Sequence, residues 1–362
     1  MNVLFPMTGP NKFDGDEYIY PKPLIDILGK TIIERALEPY SALSSIKKII
    51  IVISLNDVKE YNLDYVIRQI VPADKLELIV LDSSTKGATC TALLAVDHID
   101  SDEPLVIASC DQIFDTDLNT ALSYFSDSHF DFGTISFNAV HPKWSFVRLD
   151  DGKIVEAAEK RPISNTAIAG FYYYKCGHDF IEAAKEQIRK NASHKGQFYL
   201  SGTLNELVLK GKTGAAYLIN DNEYTNMYDT SSIKSYVKRL EGRNNDNHNL
   251  LSLTNNYISA FNRKDINKIA AMLNNNFWLK ESGSPAIVGH EVCLNFMNEL
   301  FRTNELLNFI PKDIYVSDST SAIHFDLKLS NKTISGVDII EWKNGKILSV
   351  HAYLDDYNDE KS

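Results

Sequence analysis

Three segments in the first two thirds of the chain carry residues suited to phosphate chemistry, and the first lies near the N-terminus. The apolar run 3–7 ends at Met7, and Thr8, Gly9 and Lys12 follow within five residues. A glycine lets the backbone approach a phosphate closely, and the exposed N–H groups of such a turn bind anions. A single glycine fits an ordinary turn with a solvated lysine equally well, so this segment alone supports both interpretations.

Lys22 is the second candidate, because it stands between Pro21 and Pro23. The two prolines fix the backbone on either side of the lysine. A lysine that is held rigidly beside a glycine turn is costly unless it faces an anion. The pattern therefore favours a phosphate-facing role for Lys22.

Asp111 is the third candidate, and it directly follows the apolar run 104–110. In open α/β sheets, ligands bind outside the carboxyl ends of the strands. Mg²⁺ at such a place takes one or two carboxylates together with phosphate oxygens. An aspartate here is also a common helix N-cap, and the residues alone leave both roles open.

Residues 1–240 alternate buried-strand patterns with amphipathic helix patterns, which indicates an α/β fold. Continuous apolar runs separated by helices are typical of mostly parallel strands that are covered on both faces. Shorter strands follow, with a hairpin turn at Asp150-Asp151-Gly152. The predicted strands include 3–7, 48–54, 76–82 and 104–111, and the predicted helices are 31–43, 88–98, 179–189 and 201–210.

The pattern changes at residues 241–249, which are polar, rich in asparagine and without apolar periodicity. We interpret this stretch as a linker between a domain of residues 1–240 and a smaller domain of residues 250–358. In the second domain helices precede strands, which is the α+β arrangement. The predicted helices are 250–262, 265–273 and 289–301, and the predicted strands are 313–316, 321–329, 333–342 and 347–354.

Length, charge and cysteine content restrict the classes of function. The chain has 362 residues, which predicts two domains, and a formal net charge of −11, which disfavours nucleic-acid binding and anionic membrane surfaces. The four cysteines show no CxxC spacing, so we expect neither disulfides nor a zinc site. No apolar run approaches the ~18 residues of a membrane span. These features predict a cytoplasmic protein that is not inserted into a membrane.

Taken in order, the N-terminal motifs resemble those of the sugar nucleotidylyltransferases, also called nucleotide-sugar pyrophosphorylases. The resemblance covers nearly all of residues 1–240 and implies a GT-A, Rossmann-like domain. It is closest to a branch associated with bacterial capsule and surface-polysaccharide synthesis. The motifs that carry it are MTGPNKF, YPKPL, GKTIIERAL, STKGATCTALLA, ASCDQIFD, AAEKRPISNTAIAGFYYYK and EYTNMYDTSSIKSY.

The resemblance also implies roles for individual residues. Lys22 and Lys12 would be catalytic and would neutralise the triphosphate of a bound nucleotide. The implied binding residues are Met7, Thr8, Gly9, Lys12, Lys22, Gly87 and Ala88 for the nucleotide, Glu159, Lys160 and Gly170 for the acceptor, and Asp111 and Asp229 for Mg²⁺.

Two departures from the family pattern bear on these roles. The N-terminal loop is one residue shorter than usual, lacks a second glycine, and has Lys12 where arginine is usual. The segment DTSS replaces the usual residues after the second acidic position. Asn226 or Asp221 is therefore an alternative to Asp229.

The implied reaction is Mg²⁺-dependent nucleotidyl transfer from an NTP to a sugar 1-phosphate or similar phosphate monoester, with release of pyrophosphate. Its product would serve capsule or other surface-polysaccharide synthesis. Some relatives use phosphorylated alcohols, so a cytidylyltransferase for phosphocholine, phosphoglycerol or a phospho-amide is an alternative. A non-catalytic regulator that binds nucleotide or sugar nucleotide is the alternative from another class.

The C-terminal segments YISAFNRKDINKIAAMLNNNFWLKE, VGHEVCLNFMNELF and DIIEWKNGKILSVHAYLDD resemble SnoaL-like, nuclear-transport-factor-two-like domains. That family folds as a cone-shaped α+β domain with an apolar pocket. We expect a ligand-binding or oligomerising module, and a homo-oligomer that dimerises through it. For Asp338 and His351 we expect a surface aspartate and a hydrogen-bonded histidine. Isomerase or cyclase chemistry would instead require both to line an apolar cavity.

Overall fold

The structure of the protein is a computed structural model that describes residues 1–9, 11–13, 18–330 and 332–355, without the side chains of residues 243–245 and 248. The chain divides into two compact units, Met1–Val237 and Lys238–Ser362. Residues 356–358, which end the predicted second domain, lie outside the described residues. In the described part, no helix is both long and apolar enough to span a membrane.

The N-terminal unit alternates strands and helices, as the sequence pattern predicts. Its helices are α1 (Ile32–Ser41), α2 (Leu55–Tyr61), α3 (Leu63–Ile70), α4 (Ala88–Leu93), α5 (Val96–Ile99), α6 (Leu118–Asp127), α7 (Gly177–Arg189) and α8 (Ser201–Leu209), with 3-10 helices at Lys22–Leu24 and Asp221–Glu223. Its strands are β1 (Asn2–Met7), β2 (Asp26–Ile27), β3 (Lys30–Thr31), β4 (Lys48–Ser54), β5 (Leu76–Leu81), β6 (Leu105–Ile107), β7 (Gln112–Phe114), β8 (Phe132–Asn138), β9 (Ser145–Asp150), β10 (Lys153–Glu159), β11 (Thr166–Tyr174), β12 (Gly214–Leu218) and β13 (Tyr224–Asn226).

A nine-stranded mixed sheet forms the centre of this unit, in the order β5-β4-β1-β6-β11-β8-β12-β10-β9. Strands β5, β4, β1 and β6 run parallel, and β11 joins β6 in the antiparallel direction. Alternate residues of β1 enter opposite cores: Val3 and Phe5 belong to one cluster, and Leu4 belongs to the other. Burial on both faces explains why these strands read as continuous apolar runs. The predicted mixed α/β architecture is confirmed.

The hairpin between β9 and β10 turns where the sequence predicts it. Asp151 and Gly152 have φ values of 47° and 73°, so both occupy the left-handed region. A two-residue turn of this kind matches the right-handed twist of the strands that it connects.

Two helical regions differ from the prediction. The predicted helix 88–98 is divided into α4 and α5, because Ala95 leaves the helical region at φ −93° and ψ 15°. Residues 55–70, for which the sequence interpretation specified no element, form α2 and α3. Asn62 separates these helices by adopting a left-handed conformation, which asparagine tolerates better than most residues.

The C-terminal unit contains helices α10 (Ile266–Met272) and α11 (His290–Thr303) and strands β14 (Leu273–Glu281), β15 (Ile287–Val288), β16 (Asn308–Ser317), β17 (Thr320–Lys328), β18 (Thr333–Lys343) and β19 (Lys346–Leu354). Its sheet has the order β15-β14-β19-β18-β17-β16. Only β14 and β19 pair in parallel within this sheet, as far as the structure describes it. The predicted order of helices followed by strands holds except for β14 and β15, which the sequence interpretation omitted.

The predicted linker 241–249 is helical and lies within the 33-residue helix α9 (Thr230–Asn262). No proline occurs in this stretch, and asparagine costs a helix at most about 0.7 kcal/mol per residue relative to alanine. Leu250, Tyr257 and Phe261 anchor the second half of α9 in the C-terminal core. Tertiary packing therefore sustains a helix through a segment whose own apolar periodicity is weak.

Candidate active site

A pocket of about 200 Å³ opens at the carboxyl ends of β1 and β6. The residues around it come from separate segments of the N-terminal unit and include both polar and aromatic side chains. Those used below are Ala88, Ser109, Gln112, Lys143, Trp144, Ser145, Glu159, Gly170, Tyr199, Asn226 and Tyr228. Of the residues predicted for the site, Ala88, Glu159 and Gly170 line this pocket directly.

The glycine turn is tied to the segment that carries Gly87 through threonine hydroxyls. Thr8 Oγ1 lies 2.9 Å from Thr91 Oγ1, which lies 2.6 Å from Thr85 Oγ1. Thr85 Oγ1 also donates to the carbonyl of Gly87 at 3.1 Å. These hydrogen bonds bring Thr8 beside the start of α4, although 83 residues separate Thr8 from Thr91. Met7, just before the turn, is buried in the core.

Gly87 is required by packing against another loop. A Cβ at this position would lie 2.5 Å from the carbonyl oxygen of Phe198 and 2.7 Å from its nitrogen. Gly87 also has φ +110°, a value that other residues rarely adopt. The family resemblance assigns Gly87 to the nucleotide, and the structure supplies a second reason for a glycine here.

Lys12 does not line the pocket and extends toward α2. Its Nζ lies 3.9 Å from a carboxylate oxygen of Glu60 and 5.2 Å from the centre of the Tyr61 ring. A hydrogen bond with Tyr61 is the main cause of the raised pKa of Lys12. The preceding residue, Asn11, is held by a 2.5 Å hydrogen bond to Asp57 of the same helix.

Lys22 begins the 3-10 helix that follows the glycine turn, and its side chain reaches the rim of the pocket. Its Nζ donates to the carbonyl oxygen of Tyr228 at 3.2 Å. The ammonium also lies 4.5 Å from the centre of the Phe13 ring and 5.3 Å from that of Tyr228. Because Tyr228 lines the pocket, these contacts hold a cation at its edge.

Asp111 and Asp229 are approached through a small antiparallel ladder. Strand β7, directly after Asp111, pairs with β13, which precedes Asp229. The N–H of Met227 donates to the carbonyl of Asp111 at 2.7 Å. The ladder thus brings the segment leading to Asp229 against the one that carries Asp111.

Each of the two carboxylates is held by local hydrogen bonds, and carboxylate oxygens are among the ligands that Mg²⁺ takes. Asp111 Oδ1 accepts from Ser109 at 2.7 Å, and Asp229 Oδ1 accepts from Ser231 at 2.6 Å and from the N–H of Ser232 at 2.8 Å. The hydrogen bonds from Ser231 and Ser232 lower the pKa of Asp229 and keep it ionised. The described residues form no cluster of three or more metal-ligating side chains. Mg²⁺ needs only one or two carboxylates when phosphate oxygens and water complete its shell.

Glu159 is held in the pocket wall by two serines. Its Oε2 accepts hydrogen bonds from Ser145 Oγ and, at 2.9 Å, from Ser201 Oγ. The next residue, Lys160, is exposed and has a left-handed φ of 52°. Its Nζ lies 3.4 Å from the hydroxyl of Tyr199, which also lines the pocket.

Two amide side chains, Gln112 and Asn226, leave unpartnered oxygens at the pocket. They face each other in register across β7 and β13, and Gln112 Oε1 and Asn226 Oδ1 are buried without a hydrogen bond. Gly170 provides the space for Gln112, because a Cβ on Gly170 would lie 1.9 Å from Gln112 Oε1. Asn226 entered the sequence interpretation as an alternative to Asp229, whereas Gln112 was not singled out.

Lys143 is a further pocket cation that the sequence interpretation missed. Its Nζ lies 4.7 Å from the centre of the Trp144 ring, and its charge contributes to the lowered pKa of Asp229. The pair precedes β9 in a loop, so no apolar period marks it. A lysine beside a tryptophan between two strand patterns was the available signal.

The C-terminal unit corrects one expectation about Asp338. The side chain of Asp338 is buried, with 8% exposure, and lines a pocket in that unit. His351 does not line that pocket, and its Nδ1 lies 3.0 Å from the hydroxyl of Tyr353. The predicted surface position of Asp338 is therefore wrong, and the pairing of Asp338 with His351 in one cavity does not occur.

Solved structures share the fold of the N-terminal unit. The nucleoside-diphosphate-sugar pyrophosphorylase from Vibrio cholerae RC9 has 21% identity and a TM-score of 0.55, over 66% of this chain and 100% of that one. UDP-glucose pyrophosphorylase complexed with UDP-glucose has 18% identity and a TM-score of 0.53, over 67% and 98%. The inositol-1-phosphate CTP transferase from T. maritima has 12% identity and a TM-score of 0.52, over 66% and 95%.

Family models identify both parts of the sequence. Residues 254–350 match the model described as SnoaL-like domain. Residues 18–245 match the model described as Nucleotidyl transferase, which covers more than half of the 362 residues. Among curated proteins, none matches the chain. The extent of the second match shows that this protein belongs to the nucleotidyl transferase family.

Proposed function

We propose that the protein transfers a nucleotidyl group from an NTP to a sugar 1-phosphate or a similar phosphate monoester, with Mg²⁺, and releases pyrophosphate. The observation that carries this proposal is the pocket at the strand ends. There Glu159 and Gly170 meet the segment that follows Asp111, beside Lys143 and near Lys22. Carboxylates, lysines and glycines at the carboxyl ends of the parallel strands β1 and β6 suit the binding of phosphate groups.

The reaction needs no general base on the protein. The second pKa of a phosphate monoester is about 6, so the acceptor is largely a dianion at neutral pH. One of its oxygens attacks the α-phosphorus, a new P–O bond forms, and the bond to the β-phosphate breaks with pyrophosphate as the leaving group. The main barrier is electrostatic, because two polyanions must approach each other.

The chain's own residues would lower this barrier by position and charge. Lys22 would neutralise the triphosphate from the rim, and Lys143 would add positive charge within the pocket. Lys160, next to Glu159, would face the phosphate of the acceptor. Asp111 and Asp229 would hold Mg²⁺, which supplies charge neutralisation at the phosphates when it is bound.

A pyrophosphate-release assay tests this proposal. Each of the four NTPs is combined with glucose 1-phosphate, once in the presence of Mg²⁺ and once with a chelator. We expect one of the NTPs to release pyrophosphate, and to do so only in the presence of Mg²⁺. Asp111→Asn and Lys22→Ala should each lower kcat/KM by about 100-fold, the range found for single electrostatic groups. Lys185→Ala is the control, because Lys185 is an exposed lysine paired with Glu182 on α7. Full activity in either site variant would refute the assignment.

An acceptor of another kind is a second candidate, namely a phospho-alcohol transferred from CTP. The support is that one solved structure with this fold is an inositol-1-phosphate CTP transferase. The buried oxygens of Gln112 and Asn226 would accept hydrogen bonds from hydroxyl groups in either kind of acceptor. Phosphocholine has no free hydroxyl and inositol 1-phosphate has several, so a comparison of both with glucose 1-phosphate separates the acceptor classes.

The wider role also belongs to this proposal. We infer cytoplasmic synthesis of an activated donor for capsule or another surface polysaccharide, by a homo-oligomer that dimerises through the C-terminal unit. Light scattering of the full chain tests the oligomeric state, and a monomer at working concentration would refute that part. A protein that binds an NTP tightly but releases no pyrophosphate with any acceptor would instead be the non-catalytic regulator.

A further inference from the structure

The C-terminal unit encloses a pocket of about 130 Å³ that the nucleotidyl-transfer reaction does not use. Its wall is almost entirely apolar and includes Phe261, Phe309 and Phe325. Phe309 and Phe325 stack with their ring centres 4.4 Å apart. Ring faces of this kind attract positive charge as well as apolar groups.

Two carboxylates interrupt the apolar wall, and the strand register explains their position. Glu281 on β14 pairs with Ala352 on β19, and Ala352 pairs with Asp338 on β18. The three residues therefore form a row across neighbouring strands and face the same pocket. Alanine in the middle leaves space between the two acidic side chains, whose backbones are about two strand spacings apart.

Asp338 has no hydrogen-bond or ion-pair partner among the described residues, although it is buried with 8% exposure. Burial, and secondarily the charge of Glu281, raises its pKa to about 7. The titratable groups that line the pocket are Asp338, Glu281 and Tyr257 on α9; α11, β16, β17 and β19 contribute apolar side chains. No basic side chain is among the described residues that line the pocket, so no lining side chain balances the charge of an ionised Asp338.

We propose that this pocket binds a small organic cation, an aliphatic or cyclic amine, whose ammonium group lies between Asp338 and Glu281. Two carboxylates offer hydrogen-bond acceptors and negative charge, and an ammonium group offers three donors and the opposite charge. The hydrocarbon part of such a ligand would contact the phenylalanine rings. This inference does not depend on the reaction proposed for the N-terminal unit.

The described residues that line the pocket include two acidic side chains and no basic one, and this predicts the charge of the ligand. A buried, unpaired carboxylate is costly, and a ligand of opposite charge removes that cost by pairing with it. A neutral alcohol would pair with only part of the acceptors, and an anion would be repelled by Glu281. The amine is the class that satisfies both acidic groups.

The test uses cyclohexylamine and cyclohexanol, two probes of similar shape of which the first is cationic. Calorimetry on the full chain at about pH 8 should show the amine binding at least about tenfold more tightly than the alcohol. At about pH 6, where Asp338 is mostly protonated, amine binding should weaken roughly tenfold, because the ionised fraction falls by that factor. The amine itself stays protonated at both pH values, as a lysine does.

Variants of Asp338 and Glu281 test whether these two residues cause the preference for the amine. Asp338→Asn and Glu281→Gln should each remove most of the preference for the amine, and Asp338→Asn should also remove the pH dependence. If the melting curve of Asp338→Asn shows that this variant does not fold, Glu281→Gln alone tests the proposal. Equal binding of both probes, binding of neither, or amine binding that both variants leave unchanged would overturn the proposal.

Discussion

At the residue scale, two glycines with a positive φ differ in what surrounds them. Gly170 has φ +68° and lies against Gln112, whereas Gly152 has φ +73° and no atom near the position of a Cβ. The two therefore share a positive φ and differ in packing. A comparison of the two glycines therefore distinguishes the need for a positive φ from the need for space beside the backbone.

We predict that Gly170→Ala weakens acceptor binding and that Gly152→Ala does not. Both variants should lose about 1 kcal/mol of stability, because the left-handed region is unfavourable for alanine. Only the alanine at position 170 would displace Gln112 from the pocket. Melting curves and the KM for the acceptor measure the two effects, and an equal change of KM in both variants would contradict this account.

A second residue-scale prediction concerns Asp338 and pH. Its ordinary pKa of 3.8 in the unfolded chain rises to about 7 in the fold, so the native state retains a proton that the unfolded state loses. The free energy of unfolding should therefore fall as pH rises from about 4 to about 7, by up to 2–4 kcal/mol, and level off above. Asp338→Asn should abolish this fall in urea-unfolding experiments.

The control for that experiment is Asp326→Asn on the neighbouring strand β17. Asp326 is paired with Lys312, which lowers its pKa. Its contribution is therefore present above the ordinary pKa of an aspartate and is lost in more acidic solution. Asp326→Asn should leave the slope between pH 5 and pH 7 unchanged, whereas the same slope in the wild type and Asp338→Asn would contradict burial of an unpaired acid.

At the residue scale, reasoning from the sequence assigned several site residues their positions relative to the strands. Asp111 follows the buried strand β6, and Glu159 ends β10 at the pocket. The direction of Lys12 could not be derived, because Glu60 and Tyr61 lie on a helix that the sequence interpretation omitted. A side chain's direction depends on neighbours from other segments, which local patterns do not contain.

At the element scale, α9 differs most from expectation. Residues 241–249 were interpreted as a linker because they lack apolar periodicity, yet they continue a helix from Thr230 to Asn262. Periodicity measures whether one face is buried. The side chains that the structure describes in this segment are exposed or partly exposed, so its pattern resembles that of a loop.

Gly242 tests whether this segment is helical in solution. It is exposed, and no atom lies near the position of a Cβ. Gly242→Ala should raise the free energy of unfolding by about 0.5–1 kcal/mol, whereas Gly242→Pro should lower it and reduce the helical circular dichroism signal. An irregular linker would leave stability nearly unchanged in both variants, and that result would contradict the helix.

Strand β14 was missed for a different reason. Its sequence LNNNFWLKE interrupts the alternation with three asparagines, and its pairing with β19 shifts register between Leu273 and Trp278. The irregular register hides the two-residue period on which strand prediction depends. Glu281, one of the two acids in the C-terminal pocket, therefore had no predicted position.

At the scale of the whole molecule, two compact units carry separate pockets. The hydrophobic cores are correspondingly distinct, with one cluster formed within 250–350 and the others within the N-terminal unit. The net charge of the protein is −11, so the protein as a whole repels polyanions. Attraction of the proposed substrates would therefore depend on local lysines such as Lys22 and Lys143.

Calorimetric unfolding of the full chain should show two transitions, because each unit has its own core. An NTP with Mg²⁺ should raise the midpoint of one transition, and cyclohexylamine should raise that of the other, since a ligand stabilises the unit that binds it. Asp338→Asn identifies the transition that belongs to the C-terminal unit, because this variant should alter only the transition that responds to the amine. One transition raised by both ligands would contradict independent units.

The sequence by itself determined the α/β and α+β classes, the order of most elements and the family of the N-terminal motifs. These properties depend on local periodicity and on the order of short motifs, both of which a single sequence contains. The tertiary structure alone decided that Lys143 and Gln112 join Glu159 in one pocket and that Asp338 is buried in the same pocket as Glu281. These arrangements arise from strand register and packing between segments distant in sequence, so no local pattern specifies them.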